Sequence, residues 1–95
     1  MKALLSEAAG GPDTLTIQEV DIPAPDNDEI RIRVHACGVN YPDSLIIEDK
    51  YQFKPPRPFS PGGEVAGVID AVGSEVENFQ VGDKVIGLVG WGGMA

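Results

Sequence analysis

The last twelve residues of the chain, KVIGLVGWGGMA, contain the glycine spacing with which proteins hold a dinucleotide. Gly90, Gly92 and Ala95 match G-x-G-x-x-G/A, in which glycines let the backbone approach a pyrophosphate. The motif has this meaning only between a strand and a helix, with an acidic residue about twenty positions later. Lys84 to Val89 is predicted to be a buried strand, but neither helix nor acidic residue follows it in this sequence. Spacing alone therefore favours a glycine-rich bend over a nucleotide site.

The chain has one cysteine and one histidine, and either could in principle serve a nucleophilic or metal site. His35 falls on the polar face of a predicted strand, where a solvated side chain is favoured over a ligand. Cys37 has no evident base near it in the sequence, as a nucleophile would need. We therefore interpret Cys37 as a small buried hydrophobic residue.

The elements that would position these residues are mainly strands. Strict alternation of apolar and polar residues predicts a half-buried strand over Glu29 to Ala36, with Ile30, Ile32 and Val34 on its inner face. Weaker patterns over Met1 to Leu5 and Thr14 to Val20, separated by turn residues, predict a hairpin. A further strand is predicted from Val65 to Val72, followed by a turn into the strand that begins at Lys84.

The middle of the chain combines one short helix with a long loop. Asn40 is a good helix cap, Pro42 suits the first helical turn, and Asp43 favours the positive end of the helix dipole. The following segment KYQFKPPRPFSPGG is too rich in proline for a regular hydrogen-bond ladder. Because it contains Tyr51 and two phenylalanines, we expect a packed loop and not a disordered one.

Length and composition predict one small globular domain. The chain has 95 residues, of which 42% are hydrophobic and 23% are charged. Seven basic against fifteen acidic residues give a net charge of −8, which would repel phosphate backbones and anionic lipid. We therefore expect no nucleic-acid partner. No segment approaches the roughly 20 apolar residues that span a bilayer and no leader opens the chain, so we expect no membrane association and a cytoplasmic location.

Two stretches resemble a known family. The segment AVGSEVENFQVGDKVIG, with PGGEVAGVID before it, resembles the G-H-E-x-x-G-x-V…V-G…V…F-x-x-G-D-x-V signature of medium-chain dehydrogenase/reductases. ACGVNYPDS resembles the strand-to-helix turn that supplies a metal ligand in their zinc-dependent members. The resemblance implies a mainly β fold, a GroES-like partly open β-barrel with one short helix that lacks the Rossmann domain. Residues 1–95 would be the N-terminal catalytic, substrate-binding domain, incomplete at its C-terminal end, and Gly90 to Ala95 would belong to the barrel.

The chain departs from this family at two metal-ligand positions. Asn40 occupies the place of the liganding cysteine, and Gly63 the place of the histidine in G-H-E. A catalytic zinc needs about three protein donors, and neither an amide nor a glycine replaces a thiolate or an imidazole. The resemblance therefore implies no metal site, which is the pattern of the zinc-independent quinone oxidoreductase and enoyl reductase branch.

Membership of that branch implies reduction of quinones or α,β-unsaturated carbonyls with NADPH, by a full-length homodimer. NADPH would be bound mainly by a domain outside these residues. The implied site residues are Asn40, facing both cofactor and substrate, Tyr51, donating a proton or hydrogen bond to substrate oxygen, and Asp43, orienting its neighbours. Each has a purely structural alternative: Asn40 as a helix cap, Tyr51 as loop packing, and Asp43 as a partner of the helix dipole.

Two further hypotheses remain beside the enzyme. A GroES-like co-chaperonin has about this length and a related barrel, although the stretch from Asn40 to Pro61 contains too much proline for a mobile chaperone-binding loop. A non-catalytic binding module could retain the barrel without the chemistry. Under the enzyme hypothesis the 95 residues alone should be inactive, because they form only one wall of the substrate cleft.

Overall fold

A computed structural model describes residues 1–95 and shows five strands, one α-helix and one turn of 3₁₀-helix. The elements in chain order are β1 (Lys2–Leu5), the 3₁₀ turn (Pro12–Thr14), β2 (Thr16–Glu19), β3 (Ile30–Gly38), α1 (Tyr41–Ile47), β4 (Glu64–Val72) and β5 (Lys84–Leu88). The prediction of a mainly β chain with a single short helix is confirmed. None of the helices is long and apolar enough to cross a membrane.

The strands form two antiparallel sheets. β1 and β2 make the predicted hairpin, and β3, β4 and β5 form a three-stranded sheet in that order. A bridge between Ser6 and Phe59 and a hydrogen bond from the Leu4 N–H to the Met94 carbonyl, 2.9 Å, fasten the hairpin to the rest of the chain. The sheets do not close on each other, which agrees with the predicted partly open barrel.

The pairing of β3 with β4 is irregular at two points. The register shifts between Arg31 and Ile32 and again between Val34 and Ala36, so that His35 has no partner across the ladder. Such bulges increase the local twist of a strand. As predicted, Ile30, Ile32 and Val34 are half-buried and His35 is exposed, but Arg31 on the predicted polar face is also half-buried.

Both ends of α1 are capped by local sequence. Asn40 precedes the helix in an extended conformation, with φ −127° and ψ 160°, and Asp43 lies in the first turn. At the other end Asp49 takes a positive φ of 58°, and the Lys50 N–H donates to the Leu45 carbonyl at 2.9 Å. This arrangement is a Schellman cap, in which a left-handed residue satisfies the last carbonyls of the helix. The predicted helix and its start at Asn40 are confirmed.

The core is small and lies between α1 and the proline-rich loop. Ile46, Ile47 and Phe59 are at most 5% exposed, and Leu15, Tyr51 and Phe53 pack against them. Only 14 of the 95 residues are buried, so the interior that supports this fold is limited for its length.

The strand predicted from Lys84 to Val89 is confirmed as β5, but the prediction that it is buried is wrong. β5 ends at Leu88 and its residues alternate, with Val85 turned inward and with Ile86 and Leu88 84% and 86% exposed. β5 is the edge strand of a three-stranded sheet, and nothing covers the outer face at these positions. The short apolar run in β5 therefore predicted burial on both faces, although only one face is turned inward.

Candidate functional site

One open pocket collects all three residues expected to carry chemistry. It lies between the start of α1, the proline-rich loop and the adjoining ends of β4 and β5, and has a volume of about 380 Å³. Its lining includes Asn40, Asp43, Tyr51 and the vacated ligand position Gly63. The remaining lining residues are Pro42, Ile46, Phe53, Glu64, Leu88 and Gly90.

Asn40 lies at the mouth of this pocket as the cap of α1. Asp43 supplies its half of a capping box, whereas the Asn40 side chain makes no cap hydrogen bond. As a cap, Asn40 would use its carbonyl oxygen Oδ1 as an acceptor, whereas a ligand's oxygen would be bound by the two Nδ2 protons. No group in the chain accepts a hydrogen bond from those protons. The capping role and the predicted donor role are therefore compatible.

Asp43 is buried and fixes the backbone at the start of the helix. Its Oδ2 accepts the Asn40 N–H at 2.9 Å, and its own N–H donates to the Asn40 carbonyl at 3.0 Å. The carboxylate is 7% exposed and lies at the positive end of the helix dipole. These two bonds hold Asn40 in place, which is the geometry that the predicted orienting role requires.

Tyr51 has a packed ring and a hydroxyl without a partner in the chain. Its ring packs against the small core and meets the Phe53 ring edge-on, with centroids 5.1 Å apart and planes at 89°. Its hydroxyl has no hydrogen-bond partner in the chain. Packing thus fixes the ring, while the phenol proton remains available to a ligand in the pocket.

The donor set of this pocket does not fit a catalytic zinc. No three His, Cys, Asp or Glu side chains in the chain are grouped so that they could hold a metal ion. A Cβ atom at Gly63 would lie 3.2 Å from the Gly90 carbonyl oxygen, so an imidazole there would require the Gly90 segment to shift. Gly63 and Gly90 instead contribute only backbone to the lining of the pocket.

Cys37 is half-buried on the far side of Gly62, against Gly93. Burial, together with the negative charges of Asp43 and Glu64, raises the pKa of the Cys37 thiol above its ordinary value. The thiol is therefore protonated at neutral pH, contrary to the needs of a nucleophile. This environment agrees with its interpretation as a small packing residue.

The backbone N–H groups of the C-terminal glycine-rich segment are hydrogen-bonded to carbonyls of the same chain. The N–H of Gly92 donates to the Ser60 carbonyl at 2.7 Å, that of Gly93 to Gly62 at 3.0 Å, and that of Met94 to Pro61 at 2.9 Å. These are the N–H groups that a dinucleotide loop would direct at a pyrophosphate. Since they are already paired, the segment is a structural bend, as the sequence-based interpretation favoured.

Comparison with known proteins assigns the chain to a family. The sequence profile of the alcohol dehydrogenase GroES-like domain matches residues 26–94. The chain belongs to this family. Quinone oxidoreductase of Rattus norvegicus is 43% identical to this GroES-like domain over 86 residues, which are 90% of the chain and 26% of that protein. The chain therefore spans about a quarter of the length of the curated relatives that it matches.

Solved structures show the same likeness. A probable oxidoreductase from Mycobacterium abscessus superimposes with a TM-score of 0.90 at 34% identity, covering 99% of this chain and 30% of that one. Quinone oxidoreductase of Escherichia coli, complexed with NADPH, gives a TM-score of 0.84 at 31% identity over 90% of this chain and 26% of that one. The expected superfamily and its quinone oxidoreductase branch are confirmed, and these relatives favour an oxidoreductase over a co-chaperonin.

Sequence reasoning missed the residue that ties the loop of this GroES-like domain together. Arg57 Nη1 lies 2.8 Å from Asp49 Oδ1, Nη2 donates to the Ile47 carbonyl at 2.9 Å, and Nε donates to Ser6 Oγ at 3.2 Å. Its guanidinium also lies 5.3 Å from the centroid of the Phe59 ring. Arg57, which lies in the same loop as Tyr51, thus joins this loop to the end of α1 and to Ser6. An arginine among prolines gives no sequence signal for this role.

Proposed function

We propose that residues 1–95 are the N-terminal, substrate-binding domain of an NADPH-dependent oxidoreductase that reduces quinones or α,β-unsaturated carbonyls without zinc. The observation that carries this proposal is the convergence of the Asn40 amide and the Tyr51 phenol on one pocket, beside the empty ligand position Gly63. The similarity to quinone oxidoreductases supports the reaction class. The homodimer and the cytoplasmic location stay predictions.

The two donors suit the charge that forms in this reaction. A conjugated carbonyl that accepts hydride at carbon develops negative charge on its oxygen, and hydrogen-bond donors can stabilise that charge in place of a cation. The Asn40 Nδ2 protons and the Tyr51 hydroxyl are unpaired, and both residues line the pocket. Tyr51 would hold the substrate oxygen and pass a proton to it, while Asp43 keeps Asn40 in position through its N–H.

We expect a flat ring to bind beside those donors. Gly63 and Gly90 contribute only backbone to the pocket lining, and a Cβ at Gly90 would meet no atom within 4 Å, so a planar nicotinamide can approach the backbone there. Asn40, which lines the same pocket, would donate to the cofactor's carboxamide or to the substrate. NADPH, when bound, supplies the hydride. The 95 residues alone should not oxidise NADPH, because most of the cofactor would be held by residues outside them.

The test is steady-state reduction of quinones and enones by the full-length protein that carries this domain. Tyr51→Phe and Asn40→Ala should each lower kcat by about 10²-fold, the effect of removing one oxyanion donor. Tyr41→Phe and Asn78→Ala are matched controls, since both side chains are exposed outside the pocket, and they should leave kcat unchanged.

Three outcomes would contradict the proposal. The first is a full-length protein that neither binds NADPH nor reduces these substrates. The second is activity that a chelator abolishes and added zinc restores, which would show a metal-dependent reaction. The third is a Tyr51→Phe variant that loses thermal stability but retains kcat, which would leave Tyr51 with packing alone.

A further inference from the structure

A row of three aromatic rings runs along the proline-rich loop to the C-terminal segment. The Tyr51 and Phe53 centroids are 5.1 Å apart, and the Phe53 and Trp91 centroids are 5.6 Å apart with planes inclined by 40°. These three are half of the six aromatic residues in the chain, and Trp91 is its only tryptophan. Phe53 and Trp91 have no part in the donor chemistry proposed above.

Core packing explains only part of this row. Tyr51 and Phe53 contact the small core, but Trp91 does not belong to it and is 41% exposed. Phe53 is therefore held between the core, Tyr51 and Trp91, while it also lines the pocket.

The backbone around Trp91 holds it in place. Gly90 and Gly92 on either side take φ of +80° and +105°, conformations that favour glycine. The Gly92 N–H is bonded to the Ser60 carbonyl at 2.7 Å, which anchors the segment directly after the ring. The tryptophan is thus presented against Phe53 by a tight, hydrogen-bonded bend.

We propose that Phe53, positioned by Trp91, is a stacking surface that makes this pocket select planar, conjugated quinones over non-planar aliphatic enones. Phe53 lines the same pocket as Gly63 and Gly90, so an aromatic ring and two residues that contribute only backbone border the space where a flat ring would bind. Offset or edge-on contacts between flat rings stabilise a complex beyond the burial of apolar area, which raises the binding affinity by about 3- to 10-fold. This inference rests on the proposed function for its choice of substrate.

Binding can be measured without turnover in the full-length protein in the absence of NADPH, because Trp91 lies against Phe53 and its fluorescence reports on a ligand bound there. The probes are duroquinone, a planar quinone with no free ring position for addition of the Cys37 thiol, and isophorone, a non-planar enone. Duroquinone should quench Trp91 fluorescence saturably, and isophorone should not. Phe53→Leu should weaken duroquinone binding by about 3- to 10-fold. Phe79→Leu, a matched change at an exposed phenylalanine outside the pocket, should not.

The same variants in the full-length protein separate this inference from the proposed function. Phe53→Leu should lower the ratio of kcat/KM for duroquinone to that for isophorone, while Phe53→Tyr, which keeps a ring, should retain it. Should Phe53→Leu fail to fold, Trp91→Leu should lower the same ratio. Linear quenching, equal duroquinone affinity in Phe53→Leu and Phe79→Leu, or an unchanged ratio would overturn the stacking surface. Saturable quenching by a protein that reduces neither compound would instead overturn the proposed function.

Discussion

Replacing Arg57 by methionine tests how this small fold is held together. The substitution keeps the apolar stem and removes the guanidinium, with its bonds to Asp49, the Ile47 carbonyl and Ser6 and its contact with Phe59. The arginine side chain is 19% exposed and that of Asp49 is 35% exposed. This pair therefore lies between a surface ion pair, worth about 0.2–1 kcal/mol, and a buried one, whose rupture costs about 3–5 kcal/mol.

The expected loss follows from which partners remain satisfied. The Ile47 carbonyl still accepts the Gly10 N–H at 3.0 Å, and Ser6 Oγ still donates to the Ala8 carbonyl at 3.4 Å, so neither is left without a partner. Only Asp49 loses its charged partner, and it can reach water. We therefore expect a loss of about 2–3 kcal/mol in the free energy of unfolding, to which the aromatic contact contributes about 0.5–1 kcal/mol.

Urea unfolding followed by Trp91 fluorescence and circular dichroism measures this loss. With a slope of about 1–1.5 kcal/mol per molar urea for a chain of this size, the midpoint should fall by about 2 M. Arg33→Met is the matched control, because Arg33 is exposed and its side chain makes no hydrogen bond or ion pair in the chain. Equal midpoints for the two variants would refute the view that Arg57 closes the loop.

Two further predictions concern single buried groups. Ser60 Oγ is buried without a hydrogen-bond partner, so Ser60→Ala should leave the melting temperature unchanged or raise it slightly, and a clear drop would reveal a missed partner. The raised pKa of Cys37 predicts slow alkylation by iodoacetamide at neutral pH, accelerating when urea unfolds the chain. Because the pKa of the Cys37 thiol is raised in the folded state, its contribution to the free energy of unfolding is fully present below the unfolded pKa of about 8.5 and is lost as the pH rises through the folded pKa. Cys37→Ala should abolish this pH dependence.

The sequence predicted those elements whose signals are local. Alternation located β3, and the run from Asn40 to Asp43 located the start of α1, because strand and helix periods and helix caps depend on neighbouring residues. Solvent exposure of a strand face depends on what packs over it, so the apolar residues of β5 were wrongly predicted to be buried. The sequence could not show that the 41% exposed Trp91 meets Phe53, since 38 positions separate them along the chain and only the folded bend brings them together.

The candidate site followed from family motifs and not from periodicity. Asn40 and Gly63 stand at ligand positions only by alignment with zinc-dependent relatives, and the structure then places both beside one pocket. Arg57 had no motif to reveal it. Its three hydrogen bonds reach residues on two other segments, and such convergence is a property of the folded chain alone.

The two proposed donors lie beyond opposite ends of α1, so this short helix and its end contacts set the distance between them. Asn40 directly precedes the helix and Tyr51 follows it by a few residues, so seven helical residues, about 10 Å of rise, set their relative positions. In a metal site the cation itself would draw the ligands together, whereas hydrogen-bond donors must be held within about 0.5 Å by the surrounding chain. Asp43 supplies that restraint at the start of the helix, and Arg57 supplies it beyond the end. Arg57→Met in the full-length protein should therefore lower kcat even at temperatures where the fold is intact, which would distinguish loss of positioning from loss of stability.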